Sequence, residues 1–157
     1  VHAAYPPVYS DLAKVSGFDS AILVKGVEGG VAPSLRGDGK IFYYNDDGEM
    51  KETKFNAKDL DINHKMRAVP LPELEKVEEI KLDEISSDIN VEDFSQKAAE
   101  IGLHALDGKD GPAKDTLIFT ASIALSIIKK IQFTDAADQI KKAINSGKAK
   151  EFFYNAR

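Results

Sequence analysis

A short run of apolar residues, Ala21 to Val24, ends directly at an acidic, glycine-rich stretch, Lys25 to Gly30. Four consecutive apolar residues after a polar segment are typical of a strand that is buried on both faces of a parallel sheet. Such sheets bind ligands in the loops that follow the carboxyl ends of their strands. The pattern therefore predicts a strand over residues 20–25, and it makes the following loop the first candidate for a binding site.

Other spacings predict the remaining elements. Val8, Leu12 and Val15 recur at helical spacing after two prolines, which predicts a helix over residues 7–16. Two strand-like segments flank an Asp-Gly step at Asp47-Gly48, which predicts a β-hairpin over residues 40–55. Further patterns predict a capped helical turn over residues 56–62 and four more helices. These helices run from Val91 to the Gly108 break, over residues 113–131, from a Thr134 cap to Asn145, and through Phe152 and Phe153.

Two segments have unusual patterns. Residues 113–131 are apolar on almost every side, which predicts a central buried helix that is too short and too polar at its ends to span a membrane. Residues 73–93 carry nine acidic residues and two lysines around one apolar stripe. We interpret that stretch as a solvated acidic face, with a docking surface for a basic partner as the alternative.

The composition restricts both the architecture and the chemistry. A chain of 157 residues with ordinary apolar and charged fractions predicts one domain over residues 1–157. The absence of cysteine excludes disulfides, thiolate nucleophiles and cysteine metal sites. The histidines His2, His64 and His104 are too widely spaced to form a histidine-pair metal motif. With no signal peptide pattern and no apolar run of about 20 residues, we expect a cytoplasmic protein with no membrane partner.

The glycine-rich loop is the main candidate for chemistry. Its glycines allow backbone amides to approach a phosphate or a ribose closely. However, Glu28 would repel a phosphate unless a metal bridged the two groups, and neither a dinucleotide-binding fingerprint nor a Walker-type pattern is present. A simple sharp turn between the strand and the hairpin therefore remains an equal alternative.

Lysines are concentrated in the last part of the chain, although the net charge of the whole chain is −5. They predict a weak anion-binding surface that could contact nucleic acid, whereas ordinary lysines near helix C-termini explain most of them. The lysines concerned are Lys129, Lys130, Lys141, Lys142, Lys148 and Lys150.

The order of three segments carries a resemblance to a known family. They are residues 21–29, the Gly-Lys-Asp-Gly-Pro-Ala-Lys-Asp segment at 108–115, and the Ile-Asn-Ser-Gly-Lys-Ala segment at 144–149. Together they resemble the C-terminal half of an anthranilate phosphoribosyltransferase across nearly the whole chain, with the poorest match at 73–93. The resemblance implies an α/β fold: part of a mostly parallel sheet with a β-hairpin and C-terminal helices, from a nucleoside phosphorylase/phosphoribosyltransferase-type domain.

The resemblance also implies a function. Members of this family transfer a phosphoribosyl group from phosphoribosyl pyrophosphate to anthranilate in tryptophan biosynthesis, with magnesium. We expect this chain to be the C-terminal part of a larger parent, to lack the parent's helical N-terminal domain and to be inactive alone, with no cofactor of its own. Its expected partners are the missing N-terminal half of the parent and further copies of itself. The substrate-binding residues implied for the cleft edge are Lys25, Gly26, Glu28, Gly29 and Gly30.

One departure from the family pattern concerns the metal. Val31 and Ala32 stand where the family has an Asp-Glu pair that helps to bind magnesium, and neither side chain can ligate a hard cation. In this respect the chain resembles a divergent branch whose members are suspected to bind nucleic acid. The sequence therefore leaves two alternatives: a phosphoribosyltransferase-like protein, and a non-catalytic paralogue that binds nucleic acid through its basic C-terminal helices.

Overall fold

A computed structural model describes residues 5–27, 32–45, 47–70, 72 and 91–156. The chain has a mixed α/β fold in which helices flank a small sheet. In chain order the elements are α1 (Pro6–Val15), β1 (Ala21–Val24), β2 (Asp38–Tyr44), β3 (Lys51–Asn56), a 3₁₀ helix (Ala57–Leu60), α2 (Val91–Leu106), α3 (Pro112–Lys129), α4 (Phe133–Asn145) and α5 (Lys148–Asn155).

The three strands form a sheet in the order β1-β2-β3, and both pairings are antiparallel. The prediction that β1 belongs to a mostly parallel sheet is therefore wrong for the described strands. All four residues of β1 are half-buried, because α1 contacts this part of the sheet from one side while the core helices pack on the other. Burial on both faces therefore explains the continuous apolar run of β1, although neither pairing among the described strands is parallel.

The predicted hairpin is confirmed as β2 and β3. Ile41 lies opposite Thr53, and Tyr43 lies opposite Lys51. Gly48 adopts a φ of +66°, a backbone region that glycine enters at little cost, and its N–H donates to the carbonyl of Asn45 at 2.7 Å. The glycine of the Asp-Gly step thus supports the turn between the strands.

The core lies between one sheet face and the helices α3 and α4. Ile41 from the sheet and Phe119 from α3 are buried in one cluster with residues of the 3₁₀ helix and α4. The expectation that α3 is buried on almost every side is only partly correct, because Ile128 is 57% exposed. The buried face of α3 consists of Ile118, Phe119, Ser122, Ile123 and Ile127.

Helix α1 packs on the opposite sheet face and confirms the first predicted helix. Tyr44 is buried, its hydroxyl donates to the carbonyl of Phe18 at 2.9 Å, and the Lys14 ammonium lies 5.1 Å from its ring centroid. The outward side of α1 remains apolar and exposed at Leu12 and Val15. The helix therefore has one packed side and one apolar side that contacts none of the core.

The start of α4 differs from the prediction. Thr134 lies inside the first turn, whereas Gln132 occupies the N-cap position without a side-chain cap. The ring centroid of Phe133 lies 4.8 Å from the ring centroid of Phe55 and 6.0 Å from that of Phe119. Partial burial of this aromatic side chain against the core favours a helix that begins two residues earlier than a Thr134 cap would give.

Two further predictions concern the middle of the chain and the membrane. The capped turn is confirmed, since the Asn56 side chain accepts a hydrogen bond from the backbone N–H of Lys58 at 3.0 Å. Most of the acidic stretch, residues 73–90, lies outside the described residues. Among the described helices, none combines the length and the apolar composition that are needed to cross a bilayer.

Candidate functional site

A cleft of about 360 Å³ lies at the carboxyl end of β1. Lys25 and Gly26, two of the predicted substrate-binding residues, line it directly. The other polar side chains in its wall are Ser34, Asp38, Lys40 and Arg67, and its apolar part includes Leu23, Val27 and Phe42.

The strand pattern explains why these residues meet. Side chains alternate between the two faces of a strand, so Asp38, Lys40 and Phe42 share one face of β2. Leu23 of β1 lies opposite Phe42 and extends the same face. This face is turned away from the core helices, whose contacts are with residues such as Ile41 on the other face. The cleft therefore forms on the side of the sheet that the core leaves open.

The glycine-rich loop begins at the edge of this cleft. The backbone N–H of Val27 donates to the carbonyl of Ala32 at 3.2 Å, so the two ends of the loop meet there. Glu28, Gly29, Gly30 and Val31 lie outside the described residues. The structure thus brings Lys25 and Gly26 to the cleft, and the other predicted loop residues stay predictions.

Arg67 is a cleft residue that the sequence did not single out. The backbone N–H of Leu35 donates to the carbonyl of Arg67 at 2.9 Å, which ties the segment after the 3₁₀ helix to the loop before β2. Upstream in the same segment, His64 Nε2 lies 2.7 Å from Asp115 Oδ2 of α3. One basic residue in a bend outside the helices and strands has no distinctive pattern, so only the tertiary structure assigns Arg67 to this cleft.

The described residues neutralise the charges in the cleft only in part. The Lys40 ammonium forms an ion pair with Glu52 at 2.7 Å, and Asp38 Oδ1 accepts a hydrogen bond from Asn56 Nδ2 at 2.6 Å. By contrast, no carboxylate of the described residues lies within ion-pair distance of Lys25 or Arg67. Two cations beside a glycine and a small apolar wall can bind an anion that carries a short carbon skeleton.

Of the two residues that stand where the family has its Asp-Glu pair, and at which no metal is expected, the structure describes only Ala32. Ala32 is half-buried and contributes only a methyl group, and Val31 lies outside the described residues. The described residues also contain no group of three histidine, aspartate or glutamate side chains arranged to hold an ion.

The C-terminal lysines fall into two groups. Lys129 and Lys130 end α3, whereas Lys141 and Lys142 lie in the last part of α4, with Lys148 at the start of α5. A short connection reverses the chain between α3 and α4, and the 13-residue α4 is about 20 Å long, so the two groups lie at opposite ends of it.

Lys150 differs from the other lysines because its ammonium is hydrogen-bonded to the carboxylate of Asp107. That ion pair lowers the positive charge available at the second group. The described lysines thus do not form one continuous basic surface, and the nucleic-acid alternative stays a prediction.

Neither a scan against protein-family models nor a search of curated proteins finds a match to this chain. The resemblance to anthranilate phosphoribosyltransferases therefore stays a prediction that rests on the three sequence segments at 21–29, 108–115 and 144–149. The geometry of the cleft is an independent observation against which that prediction can be judged.

Proposed function

We propose that this chain is the C-terminal part of an anthranilate phosphoribosyltransferase-like glycosyltransferase, and that its cleft binds the phosphate groups of phosphoribosyl pyrophosphate. One observation carries the proposal: Lys25 and Arg67, which are distant in sequence, line the same cleft as Gly26. Neither cation has a carboxylate partner among the described residues. The resemblance and these two cations, which lack an ion-pair partner within the part of the chain that the structure describes, thus indicate the same end of β1.

The chemistry of the transfer explains the value of two cations there. The bond between the ribose anomeric carbon and the pyrophosphate oxygen breaks, and negative charge accumulates on the departing pyrophosphate. A guanidinium can bind two phosphate oxygens at once, and a lysine ammonium adds a mobile point charge. Arg67 and Lys25 would therefore bind the substrate and stabilise the leaving group as its charge increases.

The size of the cleft limits what it can hold. A volume of about 360 Å³ is near the lower end for small-molecule sites. That space suits a phosphorylated sugar better than a phosphorylated sugar together with an aromatic acceptor. We therefore propose that the acceptor is bound by another part of the parent, which agrees with the expectation that this chain alone is inactive.

The apolar side of α1 supports a partner for this chain. Leu12 is 57% exposed and Val15 87% exposed, and Phe18 after the helix is also exposed. Beside α1, the outer edge of β1 has no neighbouring strand among the described residues. We propose that the remainder of the parent covers this surface, and that isolated chains bury it against each other.

Calorimetric titration with phosphoribosyl pyrophosphate tests the proposal. Arg67→Gln and Lys25→Gln each remove one cation from the cleft, whereas Lys65→Gln removes an exposed cation nearby that does not line it. A hydrogen bond to a charged group contributes about 1.5–3 kcal/mol, so each cleft variant should weaken binding by about tenfold or more. No binding by the wild-type chain, or an equal loss in Lys65→Gln, would contradict the proposal.

A further inference from the structure

A second cavity, of about 400 Å³, lies between the β2–β3 hairpin and the connection that joins α3 to α4. Side chains alternate along a strand, so Lys51 and Phe55 share one face of β3, and both line the cavity from that face. Lys130 and Phe133 line it from the connection and the start of α4. The described residues of its wall are all different from those of the cleft at β1. The cavity is therefore a separate candidate site.

Asn45 is a deeply buried polar residue of this wall, with only 7% of its surface exposed. Its Nδ2 donates to the carbonyl of Ile127 at 3.3 Å, which fixes the orientation of the amide. Its Oδ1 is buried and has no hydrogen-bond donor among the described residues. A buried acceptor without a donor is unfavourable, so a ligand that supplies an N–H or O–H to this oxygen gains affinity from the contact.

The oxygen of Asn45 is covered, so a ligand reaches it only when a neighbouring side chain moves. Lys130 and Gln132 are exposed residues of the same wall, and exposed side chains change rotamer readily on binding. The cavity can therefore admit a ligand without a change in the backbone.

Lys130 provides a positive charge at the cavity. Within the described ranges, no carboxylate lies at ion-pair distance from its ammonium, and Asp47, whose pKa it helps to lower, forms its ion pair with Lys51. Lys130 also has a φ of +56°, a left-handed conformation that residues other than glycine adopt at a cost. Such conformations persist where the surrounding structure maintains them, and they are concentrated at functional sites.

These groups define the ligand that would complement them. A single ammonium at Lys130 suits a carboxylate better than a doubly charged phosphate. The rings of Phe55 and Phe133, whose centroids lie 4.8 Å apart, offer an apolar surface to the rest of the molecule. The donor for Asn45 should be neutral, because a cationic donor would be repelled by Lys51 and Lys130 together.

We propose that this cavity binds a small N-acylated amino acid, which combines a carboxylate, a neutral amide N–H and an apolar acyl group. The carboxylate binds the Lys130 ammonium, the N–H donates to Asn45 Oδ1, and the acyl group packs against Phe55 and Phe133. A cavity of about 400 Å³ lies near the lower end for small-molecule sites and suits a ligand of this size. The inference goes beyond the proposed function, because the two sites share no wall residue and each can be tested alone.

Calorimetric titration of the full chain with hippurate, N-benzoylglycine, tests the inference. The matched control ligand is 3-benzoylpropionate, in which a methylene replaces the N–H while the ring and the carboxylate remain. Hippurate should bind about tenfold more tightly, because only hippurate satisfies the buried oxygen of Asn45. Equal affinities, or no binding of hippurate by the wild-type chain, would overturn the proposal.

Two substitutions locate the ligand in the cavity. Lys130→Gln should weaken the binding of both ligands about threefold, as expected for an exposed ion pair, whereas Lys129→Gln should weaken neither, because Lys129 is an exposed neighbour outside the wall. Asn45→Ala should abolish the preference for hippurate, and thermal melting checks that it is folded. If it is not folded, the two ligands and the two lysine variants still decide the result.

The remaining outcomes also decide the question. An equal loss of affinity in Lys129→Gln and Lys130→Gln would show that the carboxylate does not bind at the cavity. A preference for hippurate that survives in folded Asn45→Ala would refute the role of the amide oxygen. Saturating pyrophosphate should not displace hippurate, and displacement would place the ligand in the cleft at β1 and overturn the proposal.

Discussion

His64 Nε2 lies 2.7 Å from Asp115 Oδ2, and this contact joins the segment that carries Arg67 to the first turn of α3. Both side chains are largely shielded from solvent. An acidic residue in the first turn also interacts favourably with the helix dipole. The contact therefore links the position of a cleft residue to the core helix.

Replacing His64 by alanine should affect both stability and binding. The loss of one hydrogen bond to a charged group predicts a decrease of about 1.5–3 kcal/mol in the free energy of unfolding. Because Arg67 follows in the same segment, pyrophosphate affinity should also decrease. Urea unfolding and calorimetry measure the two effects, with His104→Ala as the control at an exposed histidine. Equal effects of the two substitutions would show that the contact has no special role.

The hairpin loop should show a defined response to pH. The Lys51 side chain, followed by the backbone N–H of Glu49, lowers the pKa of Asp47 from its ordinary value of 3.8. A lowered folded-state pKa stabilises the fold above the unfolded-state value, and this contribution is lost as the pH falls through the folded-state pKa. The stability difference between wild type and Lys51→Met should therefore disappear on acidification below about pH 4. A carboxyl titration by NMR that gives an ordinary pKa for Asp47 would contradict this.

The core should respond strongly at α3. Phe119 is almost fully buried beside Phe133, so Phe119→Ala should cost about 3–5 kcal/mol of stability through lost burial and the cavity left behind. Leu117→Ala on the same helix should cost much less, because Leu117 is partly exposed. Denaturant unfolding of the two variants gives the comparison, and similar losses would mean that α3 packs differently.

Isolated chains should self-associate through α1. Leu12→Glu places a charge in the exposed apolar surface and should shift sedimentation velocity profiles toward the monomer. Glu151→Gln, at an exposed position on α5, serves as a control with an equally sized change in charge. A wild-type chain that stays monomeric at high concentration would contradict both the predicted homo-oligomer and the proposed covering of α1.

The nucleic-acid alternative has a control within its own lysines. If single-stranded DNA binds at the junction of α4 and α5, Lys142→Gln should weaken the affinity and reduce its salt dependence by about one counterion. Lys150→Gln should have a smaller effect, because the carboxylate of Asp107 already neutralises Lys150. An affinity that is independent of salt would exclude phosphate contacts altogether.

Local patterns predicted the elements better than their arrangement. The Asp47-Gly48 step and the spacing of Val8, Leu12 and Val15 depend on nearby residues, and the hairpin and α1 are both confirmed. The orientation of β1 depends on its neighbour, and an apolar run records burial without distinguishing its cause. A helix on one side of an antiparallel sheet gave β1 the appearance of a parallel strand.

The candidate site was also predictable only in part, because a local pattern does not show which distant segments meet. Lys25 and Gly26 follow a strand directly, so their place at a strand end could be read from the sequence, and both line the cleft. Arg67 and Asp38 come from separate segments whose approach depends on long-range contacts. Neither has a local pattern that predicts a site.

The most direct test of the central claim is an NMR titration of the isotope-labelled chain with phosphoribosyl pyrophosphate and magnesium. The account predicts that the backbone amides of Lys25 and Gly26 and the side-chain Nε–H of Arg67 shift together, with one dissociation constant. Shifts confined to the lysines of α4 and α5, or no shift at Lys25 and Arg67 at saturating ligand, would contradict it.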